Sequence, residues 1–202
     1  TNAQWGVDHQ TTDDQPPLDQ DPIPRIQFYN SSIGWLTRPL TRDTVFKTTN
    51  GGLNWTGYRI GDTIKLSSNY FVDHSTGWVV GQGGRIAKTT NGGLNWTIQT
   101  SGVNTWLNDV RFANAQTGYI AGSHDPTRVL LKTTNGGTNW FSLSAPGSTR
   151  LFAISLVSAT SLYCVGDSGT ILFSSNGGSS WITQSSGTSA TLRDVVFKNS
   201  LL

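Results

Sequence analysis

The eight residues Thr48-Thr49-Asn50-Gly51-Gly52-Leu53-Asn54-Trp55 return three more times, as Thr89 to Trp96, Thr133 to Trp140 and, with serines, Ser174 to Trp181. A box of this kind has a mechanical reading. Asn-Gly-Gly supplies the positive φ angles of a tight hairpin, and the hydroxyl and the Asn amide can bond the turn's own backbone. The structural positions are thus Thr48, Asn50, Gly52 and Trp55; Thr89, Asn91, Gly93 and Trp96; Thr133, Asn135, Gly137 and Trp140; and Ser174, Asn176, Gly178 and Trp181. The tryptophan three residues past the second glycine can fold over the turn and cover it with a large apolar surface. Four copies whose tryptophans stand at 55, 96, 140 and 181 define β units of 41 to 44 residues.

Aligning the chain on the box fills in the rest of each unit. An aromatic lies 18 to 21 residues before each box tryptophan: Trp35, Trp78, Tyr119 and Tyr163. Twelve residues before each of these stands an aliphatic, Ile23, Leu66, Leu107 or Leu151, followed five residues later by Phe28, Phe71, Phe112 or Leu156. The pattern reads as four short strands per unit, such as Leu107 to Phe112, the stretch around Tyr119 to Ala121, Val129 to Thr133, and a strand from Trp140. Four strands per unit is the blade of an all-β β-propeller, with the box turn between strands three and four. The blades read as 23–65, 66–106, 107–150 and 151–191. Leu192 to Phe197 reads as the first strand of a fifth, whose next aromatic would fall at position 204, beyond the 202 residues of this sequence. Four blades and the opening of another imply a larger ring. All length variation falls between strands two and three, so Thr37 to Asp43 and Ser123 to Arg128 are expected to be the long loops.

Composition agrees: 23 glycines and 8 tryptophans suit many short strands and tight turns, and no helix is suggested. The single cysteine, Cys164, sits in an apolar second strand and reads as a buried small hydrophobe, so neither a disulfide framework nor a Cys-based metal site is implied. There is no glutamate. Five of the twelve aspartates lie in residues 1–22, an acidic Pro- and Gln-rich segment without Lys or Arg, leaving a body with 14 basic and seven acidic residues. That segment is either a plain tail or a ring-closing strand, because Trp5 to Thr11 resembles the fourth-strand segments that begin at Trp96 and Trp181. The basic residues are scattered singly rather than clustered with stacking aromatics, which disfavours nucleic acid. No apolar run reaches the 18 residues of a membrane span.

The box resembles the Asp box of the bacterial neuraminidase repeat. The fuller stretch Thr76 to Trp96, "Thr-Gly-Trp-Val-Val-Gly-Gln-Gly-Gly-Arg-Ile-Ala-Lys-Thr-Thr-Asn-Gly-Gly-Leu-Asn-Trp", resembles the photosystem II stability and assembly factor family. That resemblance implies a seven-bladed, non-enzymatic propeller, outside the cytoplasm: secreted, at the cell surface, in the periplasm or in the thylakoid lumen. It also implies a protein partner and no cofactor. Asn replaces the usual box Asp in every copy, and neutral amides are weak ligands for hard cations. Sialidases and xyloglucanases carry similar boxes, so a glycoside hydrolase fragment or a lectin-like glycan binder is the alternative. Hydrolysis of that kind needs paired carboxylates, which without Glu must be Asp. Asp109 and Asp194 occupy equivalent first-strand positions and read as a repeated structural hydrogen bond; Asp43, Asp125 and Asp167 lie between strands two and three. His9, His74 and His124 are too far apart in sequence to imply zinc.

The candidate binding residues collect on the loops opposite the boxes. Arg38 and Arg42 belong to the first long loop, Arg85 to the start of a third strand, and Arg128 to the second long loop. Trp106 and Arg150 each immediately precede a first-strand leucine in successive blades. Together they read as a basic rim with an aromatic anchor, a composition favoured at protein interfaces, docking an acidic segment of a larger protein or complex.

Overall fold

The computed structural model describes residues 25–38, 43–61, 63–124 and 127–197. The tail 1–22, Ile23 and Arg42 lie outside them. The described residues form four separate four-stranded antiparallel sheets, each pairing its strands in chain order. Blade one holds β1 (Arg25–Phe28), β2 (Gly34–Thr37), β3 (Thr44–Thr48) and β4 (Thr56–Arg59). Blade two holds β5 (Leu66–Phe71), β6 (Gly77–Gly81), β7 (Ile86–Thr89) and β8 (Thr97–Gln99). Blade three holds β9 (Trp106–Phe112), β10 (Gly118–His124), β11 (Thr127–Thr133) and β12 (Phe141–Ser142), and blade four β13 (Leu151–Leu156), β14 (Leu162–Gly166), β15 (Ile171–Ser174) and β16 (Ile182–Gln184). The only helical pieces among the described residues are two three-residue 3₁₀ turns, Gln82–Gly84 and Asp167–Gly169. This is the all-β propeller arrangement.

The core lies between blades rather than within them, because each sheet must bury both faces. In β6 every residue is buried, since Trp78 and Val80 face one neighbour and Val79 the other. Second-strand aromatics stack on the first-strand phenylalanine of the next blade: Trp35 on Phe71 at 3.7 Å and 5°, Trp78 on Phe112 at 3.5 Å and 11°. The same phenylalanines meet their own blade's box tryptophan edge-on, Phe71 with Trp96 at 6.0 Å and Phe112 with Trp140 at 5.9 Å. One phenylalanine therefore grips two blades, stacking face to face on the preceding blade's aromatic and meeting its own box tryptophan edge-on.

Two expectations are changed by the structure. Ser123 to Arg128 is no irregular loop: β10 and β11 stay paired from Gly118↔Thr133 to His124↔Thr127. Blades two and four end this pairing at Val80↔Ile86 and Val165↔Ile171, each at a Gly-containing 3₁₀ turn. Blade three has the β-branched Thr127 and Val129 there, residues that favour continued strand. Leu192 to Phe197 makes no strand ladder with the other described residues. Its inner-strand position is nevertheless marked. Leu192 N–H donates to Gly166 O at 2.9 Å, and Phe197 stacks on Tyr163 at 4.4 Å, as Phe71 does on Trp35.

Candidate functional site

The two ends of the blades are chemically different. At one end, each box is closed by its own side chains. Thr48 Oγ1 donates to Asn50 Oδ1 (3.0 Å) and accepts from Gly52 N (2.9 Å), while Asn50 Oδ1 also accepts from Asn54 N (2.9 Å). The same three bonds recur in the boxes of Asn91, Asn135 and Asn176. The glycines that permit this have φ of 65–90°, from Gly136 at 65° to Gly93 at 90°. The indoles of Trp55, Trp96 and Trp181 donate back to the second box glycine at 3.1 Å. Trp140 Nε1 has no such partner; Gln99 lies against Gly137 and donates instead to Gly136 O at 3.1 Å.

The box also receives the preceding blade. Trp35 Nε1 donates to Gly92 O (3.0 Å), Trp78 Nε1 to Gly136 O (3.2 Å) and Lys132 Nζ to Gly177 O (2.8 Å). Beside the boxes, the turns between strands one and two are capped by Asn30, Asp73, Asn114 and Ser158, each accepting two backbone N–H groups. Burial opposes ionisation of Asp73, but the N–H groups of Ser75 and Thr76, both at 2.7 Å, outweigh it and hold its carboxyl below the ordinary value. This end is consumed in holding itself together.

On the axis, the residues two past each first-strand aliphatic converge. Asp109 is wholly buried and accepts from Ser68 Oγ (2.7 Å), Val110 N (3.0 Å), Arg111 Nη1 (2.7 Å) and Ile154 N (3.1 Å), so it ties blades two, three and four. Asp194 accepts the N–H of the next valine in the same way, at 2.9 Å. Arg25 joins them, at 2.8 Å from Asp194 and 3.8 Å from Asp109. Burial disfavours its charge, yet the two carboxylates outweigh this and keep its pKa above the ordinary value.

The opposite end carries the loops between strands two and three and the blade-to-blade links, joined by bonds such as Gln82 N to Lys65 O (3.0 Å) and Asp43 N to Ile64 O (2.8 Å). Arg38 is exposed here, just past β2; Arg85 is half-buried where the 3₁₀ turn meets β7; and Trp106 opens β9, half-buried. Arg150 bonds Asp167 at 2.6 Å and lies over Phe152. Arg128 differs from these. Its Nη2 donates to Thr149 Oγ1 (3.0 Å), whose hydroxyl meets that of Thr170 (2.7 Å), but its Nε and Nη1 are shielded with no hydrogen-bond partner. No carboxylate pairs with it among the described residues, and burial lowers its pKa. Sequence alone marks Arg128 only as a loop arginine; its place on a strand, pressed against blade four, requires the register.

Those candidate catalytic carboxylates that lie among the described residues are each engaged. Asp43, buried with φ of 58°, holds Arg59 through both oxygens. Asp167 takes Arg150 and Thr191, while Asp125 lies outside the described residues. Among the described residues no group of His, Cys and Asp has the arrangement of a metal site.

The sequence profile described as "Photosynthesis system II assembly factor YCF48" matches residues 61–200, well over half of the chain. The chain belongs to this family. Among solved structures, "YCF48 bound to D1 peptide" is similar at 18% identity with a TM-score of 0.67, over 86% of this chain and 56% of that one. YCF48 from Cyanidioschyzon merolae is similar at 13% identity and a TM-score of 0.66, over 92% and 67% of the respective chains. A GH74 enzyme of Niastella koreensis shares the fold at 20% identity and a TM-score of 0.62, but this chain covers only 28% of it. The chain thus spans about half the length of the peptide-bound relative it matches. A search of curated proteins found no match.

Proposed function

We propose that this YCF48-family chain is a non-enzymatic protein-binding propeller acting outside the cytoplasm, which docks an acidic segment of a larger protein on the loop end of its blades. Family membership supports the class, and a relative of the same fold is seen with a D1 peptide. Arg128 carries the assignment of the surface: a half-buried guanidinium with two unpaired nitrogens is stabilised by an incoming carboxylate more than a solvated arginine would be. Arg38 and Arg85 stand at the same end of the blades, where Arg150 is paired with Asp167 and Trp106 offers an aromatic anchor; Arg42 belongs to this set by sequence alone. The hydrolase reading has little support, because Asp109 is saturated with donors and Asp43 and Asp167 are tied to arginines. No helix among the described residues is long and apolar enough to cross a membrane.

The test is fluorescence anisotropy with labelled acidic peptides and their Asn/Gln counterparts, at low and high salt. Acidic peptides should bind preferentially, more weakly as salt rises, and Arg128→Gln or Trp106→Ala should weaken them. Equal binding by wild type and both variants moves the site to another face. Turnover of xyloglucan or sialosides above a buffer blank overturns the non-enzymatic reading.

A further inference from the structure

The third strand of blade three outruns its fourth. In the other blades the fourth strand reaches the start of the third, at Thr44↔Arg59, Ile86↔Gln99 and Ile171↔Gln184. β12 pairs only with Leu131 and Lys132, and one further bond, from Leu143 N to Leu130 O at 2.8 Å, ends the ladder. Beyond it Pro146 has no N–H to give, and the chain leaves for β13, with Thr149 meeting Arg128 on the way. Thr127, Arg128 and Val129 are thus paired to β10 on one edge and to no strand on the other.

The alternation of an antiparallel ladder fixes what that open edge offers. Leu130 O points to the line of β12, so the N–H and C=O of Arg128, two residues earlier, point the same way, while those of Thr127 and Val129 point to β10. Among the described residues neither backbone group of Arg128 has a partner. Its side chain lies with Leu130 on the face toward blade four, with Nη2 on Thr149 and with Nε and Nη1 unbonded. A Cβ at Gly147 would stand 2.6 Å from Nη2, so glycine there leaves the guanidinium its place. One residue therefore holds out a backbone donor, a backbone acceptor and a cation without a counter-ion.

We propose that this edge is a strand-addition site: an extended acidic segment of the partner pairs antiparallel with Thr127 to Val129, in the line that β12 vacates, and sets a carboxylate residue directly opposite Arg128. The inference rests on the docking function proposed above and specifies its mode. Residues opposite each other in an antiparallel ladder share a face, with Cβ atoms about 4.5–5.5 Å apart. The carboxylate of the opposite residue then meets Nε and Nη1, while its backbone N–H and C=O take the C=O and N–H of Arg128. An acidic residue one place out of register projects from the other face, where Val129 packs against the apolar core between blades two and three. The edge therefore selects by register as well as by charge.

The test titrates the full chain with a labelled peptide of alternating Val and Glu, followed by fluorescence anisotropy. The peptide is used unmodified, with its glutamate backbone nitrogens methylated, or with its valine backbone nitrogens methylated. A glutamate opposite Arg128 turns its N–H to the edge, whereas the valines turn theirs to solvent. Methylation at glutamate should weaken binding about tenfold or more, and methylation at valine should leave it nearly unchanged. Arg128→Gln should weaken the unmodified peptide and preserve the order of the two methylated forms, and the Arg128 amide should exchange with deuterium more slowly in the complex. If both methylated forms bind as the unmodified peptide does while Arg128→Gln binds poorly, the segment docks by charge alone: the docking function stands and strand addition falls. If every form ignores Arg128→Gln, both fall. Loss on valine methylation instead of glutamate methylation, no binding by any form, or an edge occupied by a second copy of the chain, seen as a dimer by ultracentrifugation, also overturns strand addition.

Discussion

Replacing Trp78 by alanine tests the claim that stability resides between blades. The side chain is wholly buried, stacks on Phe112, donates to Gly136 O and lies under the Lys88 ammonium at 5.1 Å. Truncating a buried aromatic costs about 3–5 kcal/mol through lost burial and the cavity left behind. The Gly136 carbonyl keeps its bond from Gln99, so losing the indole N–H adds only about 1 kcal/mol rather than a full desolvation penalty. The sum, about 4–6 kcal/mol, is a large share of the roughly 5–15 kcal/mol that holds a domain folded. In a chain of this size it lowers Tm by about 10–20 °C. Trp96→Ala removes a half-buried ring whose N–H serves its own turn, so about 3 kcal/mol is expected. Trp78→Phe keeps a ring on Phe112 and should cost about 1–2 kcal/mol. Urea unfolding followed by far-ultraviolet circular dichroism ranks the three. If Trp78→Ala costs no more than Trp96→Ala, or Trp78→Phe as much as Trp78→Ala, the inter-blade aromatic is not what joins the blades.

Asp73→Asn should leave the melting temperature nearly unchanged at neutral pH, since Asn114 caps the equivalent turn as an amide. Because the Asp73 carboxyl titrates below its ordinary value of 3.8, its stabilisation is present above that pH and is lost as pH falls through the folded value. The variant should therefore lose less stability on acidification, and melts across an acid series check this. Asp109→Ala should cost about 3 kcal/mol or more, since it strands buried donors from three blades, whereas Asp194→Ala, at a site 54% exposed, should cost at most about 1 kcal/mol. Burial pushes the Cys164 thiol well above its ordinary pKa, so a disulfide reagent should fail to label the native protein and label it fully in urea.

The blade period and the box were legible because they rest on local chemistry repeated four times. A positive-φ glycine pair and a hydroxyl three or four residues before it need no tertiary partner. The Asx-type caps at Asn30, Asp73, Asn114 and Ser158 were equally local and were missed, although each stands two residues past a first-strand Phe or Leu. The bonds from Trp35 and Trp78 to the next blade's glycines span 57 and 58 residues, and a single sequence offers no signal that an indole serves the following repeat rather than its own. The straightened hairpin of blade three is not legible in its extra length, because length alone does not separate added ladder rungs from a loop. Thr127 and Val129 on the returning strand are β-branched, which favours added ladder rungs over a loop. Arg128 shows the limit most plainly. A charge left unpaired between blades is a property of neighbours distant in sequence, and no reading of its own segment exposes it.

The neutral boxes explain how the two ends divide their work. An Asp box presents a ring of carboxylates at one end of the propeller, whereas here Asn50, Asn91, Asn135 and Asn176 close the same turns through an amide oxygen and add no charge. Lys47, Lys88 and Lys132 stand immediately before these boxes, directed over Trp35, Trp78 and Tyr119, and burial lowers the pKa of Lys47. A carboxylate three residues away in the turn that follows would compete for those ammoniums and draw them off the rings; an amide does not. Substituting aspartate at Asn91 or Asn135 should therefore preserve the turn but loosen the lysine from its aromatic, and the Tyr119 and indole ring resonances would report the change.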